Sequence, residues 1–197
     1  MKLTIATPAY GGQLDSQYVH GLVSSFLAGA VNNWLVLSTE SLVPRARNQL
    51  VGQFLELDSD FLLFVDADIG FTVDDVKRAA GVNRGIVCGC YPKKVEGGGY
   101  VFNDIEEEDG DLVAVKEAGT GFMCIKRDVL EAVAADADPI VTDSGKHYWD
   151  LFPVGTDESK RYYSEDYGFC ILARKAGYKI WVDRGIRLKH IGRKVYQ

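Results

Sequence analysis

Two acids separated by one small residue, Asp66-Ala67-Asp68, follow directly on the apolar run Phe61-Leu62-Leu63-Phe64-Val65. Carboxylates so spaced offer hard oxygen donors to a divalent cation, or they cap a turn as the chain leaves a strand. Far downstream a second acidic pair, Glu165-Asp166, follows Ser164. Such a pair can supply a proton acceptor, or it can simply complement a helix dipole. The third candidate is His190, which stands with Lys189, Arg193 and Lys194 in a local basic patch of an acidic chain. A lone imidazole is more often structural than ligating, yet it is also a common metal ligand.

These groups need elements to hold them. A short unbroken apolar run is the pattern of a strand buried on both faces of a parallel sheet, and ligands collect at the carboxyl ends of such strands. Residues 2–7 read as a first strand that ends at Pro8-Ala9-Tyr10-Gly11-Gly12. The two glycines there allow close backbone approach to a ligand or a tight exit, and both fit. From about Asp15, with Asp15 or Ser16 as cap, the positions Val19, Leu22, Val23, Phe26, Leu27 and Ala30 repeat at helical spacing and predict a core-facing stripe. Trp34-Leu35-Val36-Leu37 makes a second strand, and Pro44 opens a helix burying Ala46, Leu50, Val51, Phe54 and Leu55. Strand and helix alternate as far as Val65, which predicts a parallel sheet with helices on its faces.

Beyond Asp68, Thr72-Val73-Asp74-Asp75 resembles a capping box opening a helix to about Val82, and residues 85–91 form a strand stopped by Pro92. Gly97 to Gly99 reads as a flexible turn, and the acids from Glu106 to Asp111 as a solvated hairpin tip between strands at roughly 99–105 and 111–116. Gly119-Thr120-Gly121 leads into a strand and then a helix from Arg127 to about Ala135; its small residues suit a floor under a ligand. Residues 138–163 lack periodicity and carry His147, Tyr148, Trp149, Phe152, Tyr162 and Tyr163, rings that either stack on a sugar or form a satellite cluster. The helix opened by Ser164 carries Arg174 and Lys175 in its last turn and stops at Gly177. Strands at Tyr178–Val182 and Ile186–Leu188 follow.

The 197 residues suit one domain, and 47% apolar with 25% charged residues excludes extensive disorder. A net charge of −6 argues against a broad nucleic-acid surface, so any phosphate recognition must be local. Cys88, Cys90, Cys124 and Cys170 lack zinc spacing and predict buried thiols in a reducing, cytoplasmic setting. No secretory leader and no transmembrane-length apolar run is expected.

Taken in order, Ala46-Arg47-Asn48, Phe64-Val65-Asp66-Ala67-Asp68, Gly119-Thr120-Gly121-Phe122, Ser164-Glu165-Asp166-Tyr167 with Ala176-Gly177-Tyr178, and Leu188-Lys189-His190 resemble a GT-A fold glycosyltransferase of the small family 2-like type. The resemblance implies an α/β fold with a mostly parallel central sheet, flanking helices and a small antiparallel sheet. It implies one catalytic domain, with residues 1–70 for the nucleotide and 71–197 for donor sugar and acceptor. The implied donor is a nucleoside-diphosphate sugar, and Mn²⁺ or Mg²⁺ would be held by Asp68, Asp66 and His190. Asp166 would be the base of an inverting transfer and Glu165 an orienting acid. Thr7, Pro8, Ala9 and Tyr10 would cradle base and ribose, and Ala67 would lie between the two metal-binding acids. Arg47 would reach diphosphate or base, unless it forms a salt bridge on a helix face. Lys93, Arg193 and Lys194 are further phosphate candidates, and Gly119, Thr120 and Gly121 would border the donor sugar. A carbohydrate or other hydroxyl-bearing acceptor is implied, recognised by residues 138–163, by a partner subunit or by a separate protein. A sugar-1-phosphate nucleotidyltransferase and a non-catalytic nucleotide-sugar-binding module are the alternatives.

Overall fold

The alternation of the N-terminal third is realised in the computed structural model, which describes residues 1–141, 145–192 and 194–197. There β1 (Leu3–Pro8), α1 (Ser16–Leu27), β2 (Asn33–Leu37), α2 (Val43–Leu55) and β3 (Phe61–Val65) succeed one another, with β1 parallel to β2 and β3. Pro44 sits in the first turn of α2, where its missing N–H leaves no bond unmade. Next come β4 (Ile69–Gly70), α3 (Val73–Gly81), β5 (Ile86–Cys90), β6 (Phe102–Asp109), β7 (Leu112–Ala118), β8 (Phe122–Lys126) and α4 (Arg127–Ala135). Two short hairpins, β9 (Pro139–Val141) with β10 (His147–Trp149) and β11 (Gly155–Thr156) with β12 (Tyr162–Tyr163), lead into α5 (Glu165–Lys175). The chain closes with β13 (Ile180–Arg187), β14 (Lys189–Ile191) and β15 (Val195–Tyr196).

Eight strands form one sheet in the order β2-β1-β3-β8-β5-β13-β7-β6. The parallel expectation holds for β2-β1-β3 and for β5 with β13; β8 is antiparallel to both β3 and β5, so the sheet is mixed. Side chains alternate across it. Leu62 and Phe64 face a cluster with Leu50, Phe54, Val129 and Phe169, which places α2, α4 and α5 on one side. Leu63 and Val65 face Tyr18, Leu22, Val76 and Ala79 of α1 and α3 on the other. All four cysteines are buried and free, and the Thr72–Asp75 capping box is present.

Three expectations change. The buried face of α1 is Tyr18, Gly21, Leu22 and Ser25, whereas Val19, Val23 and Phe26 are exposed and Leu27 is 84% exposed. Tyr18 decides the rotation of the helix, because its hydroxyl bonds Thr7 inside the sheet, and Gly21 leaves room for the Phe71 backbone. The acids from Glu106 to Asp111 are exposed and lead into a hairpin turn at Gly110, as expected, but Glu106 to Asp109 belong to the strand itself. They lie along β6 at the sheet edge, where Glu106, Glu107, Glu108 and Asp109 pair with Arg174, Lys179, Arg184 and Arg84. Charge on an edge strand also discourages pairing with another chain.

The aromatic segment divides likewise. Tyr148 and Phe152 are core, with Phe152 stacked on Phe169 at 4.9 Å and edge-on to Phe64 at 5.5 Å, while Tyr162 is 70% exposed. The segment is fastened to α5 at Gly168, since a β-carbon there would overlap the Pro153 carbonyl. Gly168→Ala is therefore expected to destabilise the protein by about 2–3 kcal/mol, lowering Tm by roughly 4–12 °C in thermal unfolding. Gly81→Ala, where a β-carbon meets open space, is the control expected to leave Tm nearly unchanged.

Candidate active site

β3 ends in a tight turn. The Asp66 N–H donates to the Gly121 carbonyl, and the Ile69 N–H donates back to the Asp66 carbonyl, each at 3.0 Å. The tail then locks this turn. β14 pairs antiparallel with β4, setting His190 opposite Ile69, and the Ile191 N–H donates to the Asp68 carbonyl at 2.8 Å. That register carries the His190 imidazole to Asp68, with Nε2 3.6 Å from Oδ1. Its Nδ1 lies 2.8 Å from the Pro92 carbonyl, which can only accept, so Nδ1 holds the proton and Nε2 is the atom turned to the carboxylate.

Asp66 faces another cation. Arg47, from α2 and 3% exposed, donates from Nη2 to Asp66 Oδ1 at 2.9 Å, and its Nε lies 3.4 Å from Glu165 Oε1 on α5. Its guanidinium also covers the Phe64 ring, 5.3 Å from the centroid. Arg47 thus ties together the acidic pair after β3 and the acidic pair of α5. Its Nη1 is buried with no hydrogen-bond partner among the described residues, and so is Thr120 Oγ1. The neighbouring Asn48 accepts from the Leu151 and Phe152 N–H groups at 2.9 and 3.2 Å and donates to Asp150 at 2.9 Å. Adjacent residues of one helix therefore hold the acids and the aromatic segment.

Ser164 occupies the N-cap of α5 but makes no cap bond; its hydroxyl donates to Asp166 Oδ1, which also accepts from the Tyr167 N–H at 2.9 Å. Burial, with the adjacent Glu165 carboxylate adding to it, pushes the Asp166 carboxyl above its usual range against the pull of the Ser164 hydroxyl. For Asp68 burial works upward too, but the His190 and Lys94 contacts together outweigh it and hold the carboxyl below its usual range.

The cleft beside these groups measures about 540 Å³ and is lined by Pro8, Tyr10, Glu40, Arg47, Asp66, Ala67, Asp68 and Gly192 among others. Tyr10, 73% exposed, stands at its rim. Thr7 and Ala9 are buried beneath, and the Thr7 hydroxyl is taken by Tyr18 and by Trp34 Nε1 at 3.3 Å. The space spared by Gly119 and Gly121 is filled by the Tyr91 ring, whose hydroxyl accepts from the Gly121 N–H at 2.9 Å. The small residues thus make room for a protein side chain. Lys194 turns to Glu96 at 3.2 Å and to the Tyr196 ring, and with Lys93 it lines a separate groove. Arg193 lies outside the described residues.

Among the described residues no three His, Cys, Asp or Glu side chains are gathered closely enough to hold a metal unaided. Asp68 and His190 still suit a shared cation: the 3.6 Å gap between Nε2 and Oδ1 admits one, and the backbone bond at Nδ1 is the usual orienting contact of a ligating histidine. Two protein ligands suffice where a substrate's phosphates complete the shell. Lys94, whose ammonium pairs with Asp68 Oδ2, was not singled out from the sequence, which directs attention to Lys93. Its position after Pro92 was the available signal.

No protein-family model matches the chain, and no curated protein matches it. Solved structures do. A197 from STIV superposes with a TM-score of 0.66 at 20% identity, covering all of this chain and 93% of that one. GalNAc-T7 with UDP, GalNAc and Mn²⁺ superposes with a TM-score of 0.56 at 10% identity, covering 98% of this chain and 44% of that one. The fold is of the GT-A type. At these identities the likeness is one of fold. No helix among the described residues is long and apolar enough to cross a membrane.

Arg47→Met would leave two acids without their shared buried partner. It is expected to destabilise the protein by about 3–5 kcal/mol in denaturant unfolding, whereas Arg45→Met on the exposed side of the same helix should change stability by less than about 1 kcal/mol.

Proposed function

We propose that this protein is a nucleotide-sugar glycosyltransferase that uses a divalent cation and inverts the anomeric centre. The observation that carries the reading is the buried Arg47, which joins Asp66, two residues from the Asp68 carboxylate that His190 faces, to Glu165, next to Asp166. Asp68 and His190 would hold Mn²⁺ or Mg²⁺, with the donor's phosphates as further ligands and Asp66 beside them. Such a cation supplies Lewis-acid neutralisation of the charge that develops on the departing diphosphate. The ligands of GalNAc-T7, a protein of the same fold, support a nucleotide-sugar reading for this cleft.

Each side chain then has a task. Tyr10 at the rim offers its ring to the base, and Pro8 and Ala9 shape the wall behind it. Arg47 lines the cleft, and its guanidinium would turn to a diphosphate oxygen there, while Thr120, buried behind the lining, would back the position of the sugar. Gly119 and Gly121 border that position through Tyr91. Both hydrogen bonds to Asp166 fall on Oδ1, so Oδ2 is the oxygen that would take the acceptor's proton. Glu165, fixed by Arg47, orients the start of α5. A hydroxyl-bearing acceptor would approach past Tyr162, the exposed ring of the 138–163 segment.

The test is release of nucleoside diphosphate from a panel of nucleotide sugars with Mn²⁺ and carbohydrate acceptors. Full activity in excess EDTA contradicts the reading, and release of pyrophosphate from a sugar-1-phosphate and a nucleoside triphosphate assigns the site to nucleotidyl transfer instead. Asp68→Ala is expected to lower turnover by at least about 10²-fold. Asp166→Asn should lower it about 10²- to 10⁴-fold while donor affinity, read by ligand-induced thermal shift, is retained. Asp166 faces Glu165, Ser164, Tyr167 and the more distant Arg47, and its raised carboxyl loses the basic form at a higher pH than a free aspartate. The acid limb of kcat/KM is therefore expected above pH ~4, and it should disappear from the residual rate of Asp166→Asn.

A further inference from the structure

The segment joining β5 to β6 forms a strap over the acid turn. Its ends are closed by a bridge between Pro92 and Tyr100 and by the Lys93 N–H donating to the Gly99 carbonyl at 2.9 Å. Gly97 and Gly99 take positive φ values of 67° and 68°, which glycine adopts without strain. The base of the strap supplies the Pro92 carbonyl that orients His190, and Glu96 fastens its flank to Lys194 of the tail. From this strap Lys94 reaches down past Gly192 and places its ammonium on Asp68 Oδ2.

Asp68 is thus shared. One oxygen faces His190 Nε2, and the other carries Lys94. A divalent cation drawn to this carboxylate meets a positive charge already seated on it, and like charges at such range repel. The Lys94 side chain is only partly covered, with 37% exposure, and its stem leaves a strap rich in glycine, so the ammonium is free to leave Asp68 without disturbing the core.

We propose that Lys94 is a displaceable counter-ion and a diphosphate-binding residue. In the ligand-free protein it neutralises Asp68 and weakens binding of a divalent cation. When cation and nucleoside diphosphate arrive together, the ammonium moves from the carboxylate to a phosphate oxygen. Metal and diphosphate then bind interdependently, each raising the affinity for the other, as linkage requires. This inference rests on the cation site proposed above and names the residue that regulates it.

The experiment measures Mn²⁺ binding to the full chain by electron paramagnetic resonance of the free ion, with and without inorganic pyrophosphate as the diphosphate probe. Lys94→Met, which keeps the apolar stem and removes the charge, is expected to bind Mn²⁺ alone about three- to tenfold more tightly than the parent protein. With Mn²⁺ saturating, the same variant should bind pyrophosphate about three- to tenfold more weakly. Those sizes follow from one partly exposed ion pair gained or lost together with the repulsion it relieves. Lys94→Arg, which keeps the charge, should match the parent protein in both measurements. The proposal is overturned if Lys94→Met leaves Mn²⁺ affinity unchanged or lower, or leaves pyrophosphate affinity unchanged. Asp68→Ala separates the two levels. If Mn²⁺ binding depends on Asp68 yet ignores Lys94, only the role of Lys94 fails; if the parent protein and Asp68→Ala bind Mn²⁺ equally, the cation site itself fails and Lys94 with it.

Discussion

A guanidinium buried between two carboxylates from distant parts of the chain is the constraint on which the site depends. Arg47 is held under α2 with Phe64 beneath it, and it pairs with Asp66 at the end of β3 and with Glu165 at the start of α5. A buried cation without those acids would be strongly unfavourable, and two acids at this depth without the cation would repel one another. The three groups therefore specify each other's place. Arginine suits the position because its planar fork bonds two partners at once and stays charged, which a lysine point charge would not reproduce. The distance between the end of β3 and the start of α5 is set by this one side chain.

Around that clamp, backbone pairing completes the assembly. The two-residue strand after the acid turn would be too short to persist alone, but β14 pairs with it and β15 backs β14, so the imidazole arrives by register. Tyr91 packs edge-on to His190 and fills the space beside Gly119 and Gly121, which couples the histidine to the glycine-flanked strand. Burial pushes its phenol well above the ordinary tyrosine range, so the hydroxyl stays protonated and serves as a fixed hydrogen-bonding post. On the far side, Asn48 and Gly168 draw residues 151–153 onto the core, and the Arg161 guanidinium closes over the buried Glu117. The walls of the cleft are therefore fixed by packing, while Tyr10 stays exposed at its rim.

Much of this was legible in the residues because local rules and tertiary packing agree. The run Phe61–Val65, Pro44 at the start of α2, the Thr72–Asp75 box and Gly177 after α5 each state their structure in a few adjacent positions. The face of α1 was not legible, since periodicity counts apolar residues and the buried side was chosen by a tyrosine hydroxyl meeting Thr7 and by a glycine meeting Phe71. The ion pairs of the exposed acids of β6 were not legible, because their basic partners are far away in sequence, brought alongside only by the β6-β7-β13 order. The acids, the histidine and Arg47 were visible as residue types. Lys94 was not, because its value lies in the path of the strap rather than in any spacing.

The proposed cation site spans Asp68 and His190 and would face the donor's phosphates. It is tested most directly by an anomalous difference map, recorded at the manganese absorption edge, from crystals grown with Mn²⁺ and UDP. A single strong peak within bonding distance of an Asp68 carboxylate oxygen, His190 Nε2 and a phosphate oxygen is the predicted result. Diphosphate bound in the cleft with no manganese peak there, or manganese bound at another surface, would contradict it.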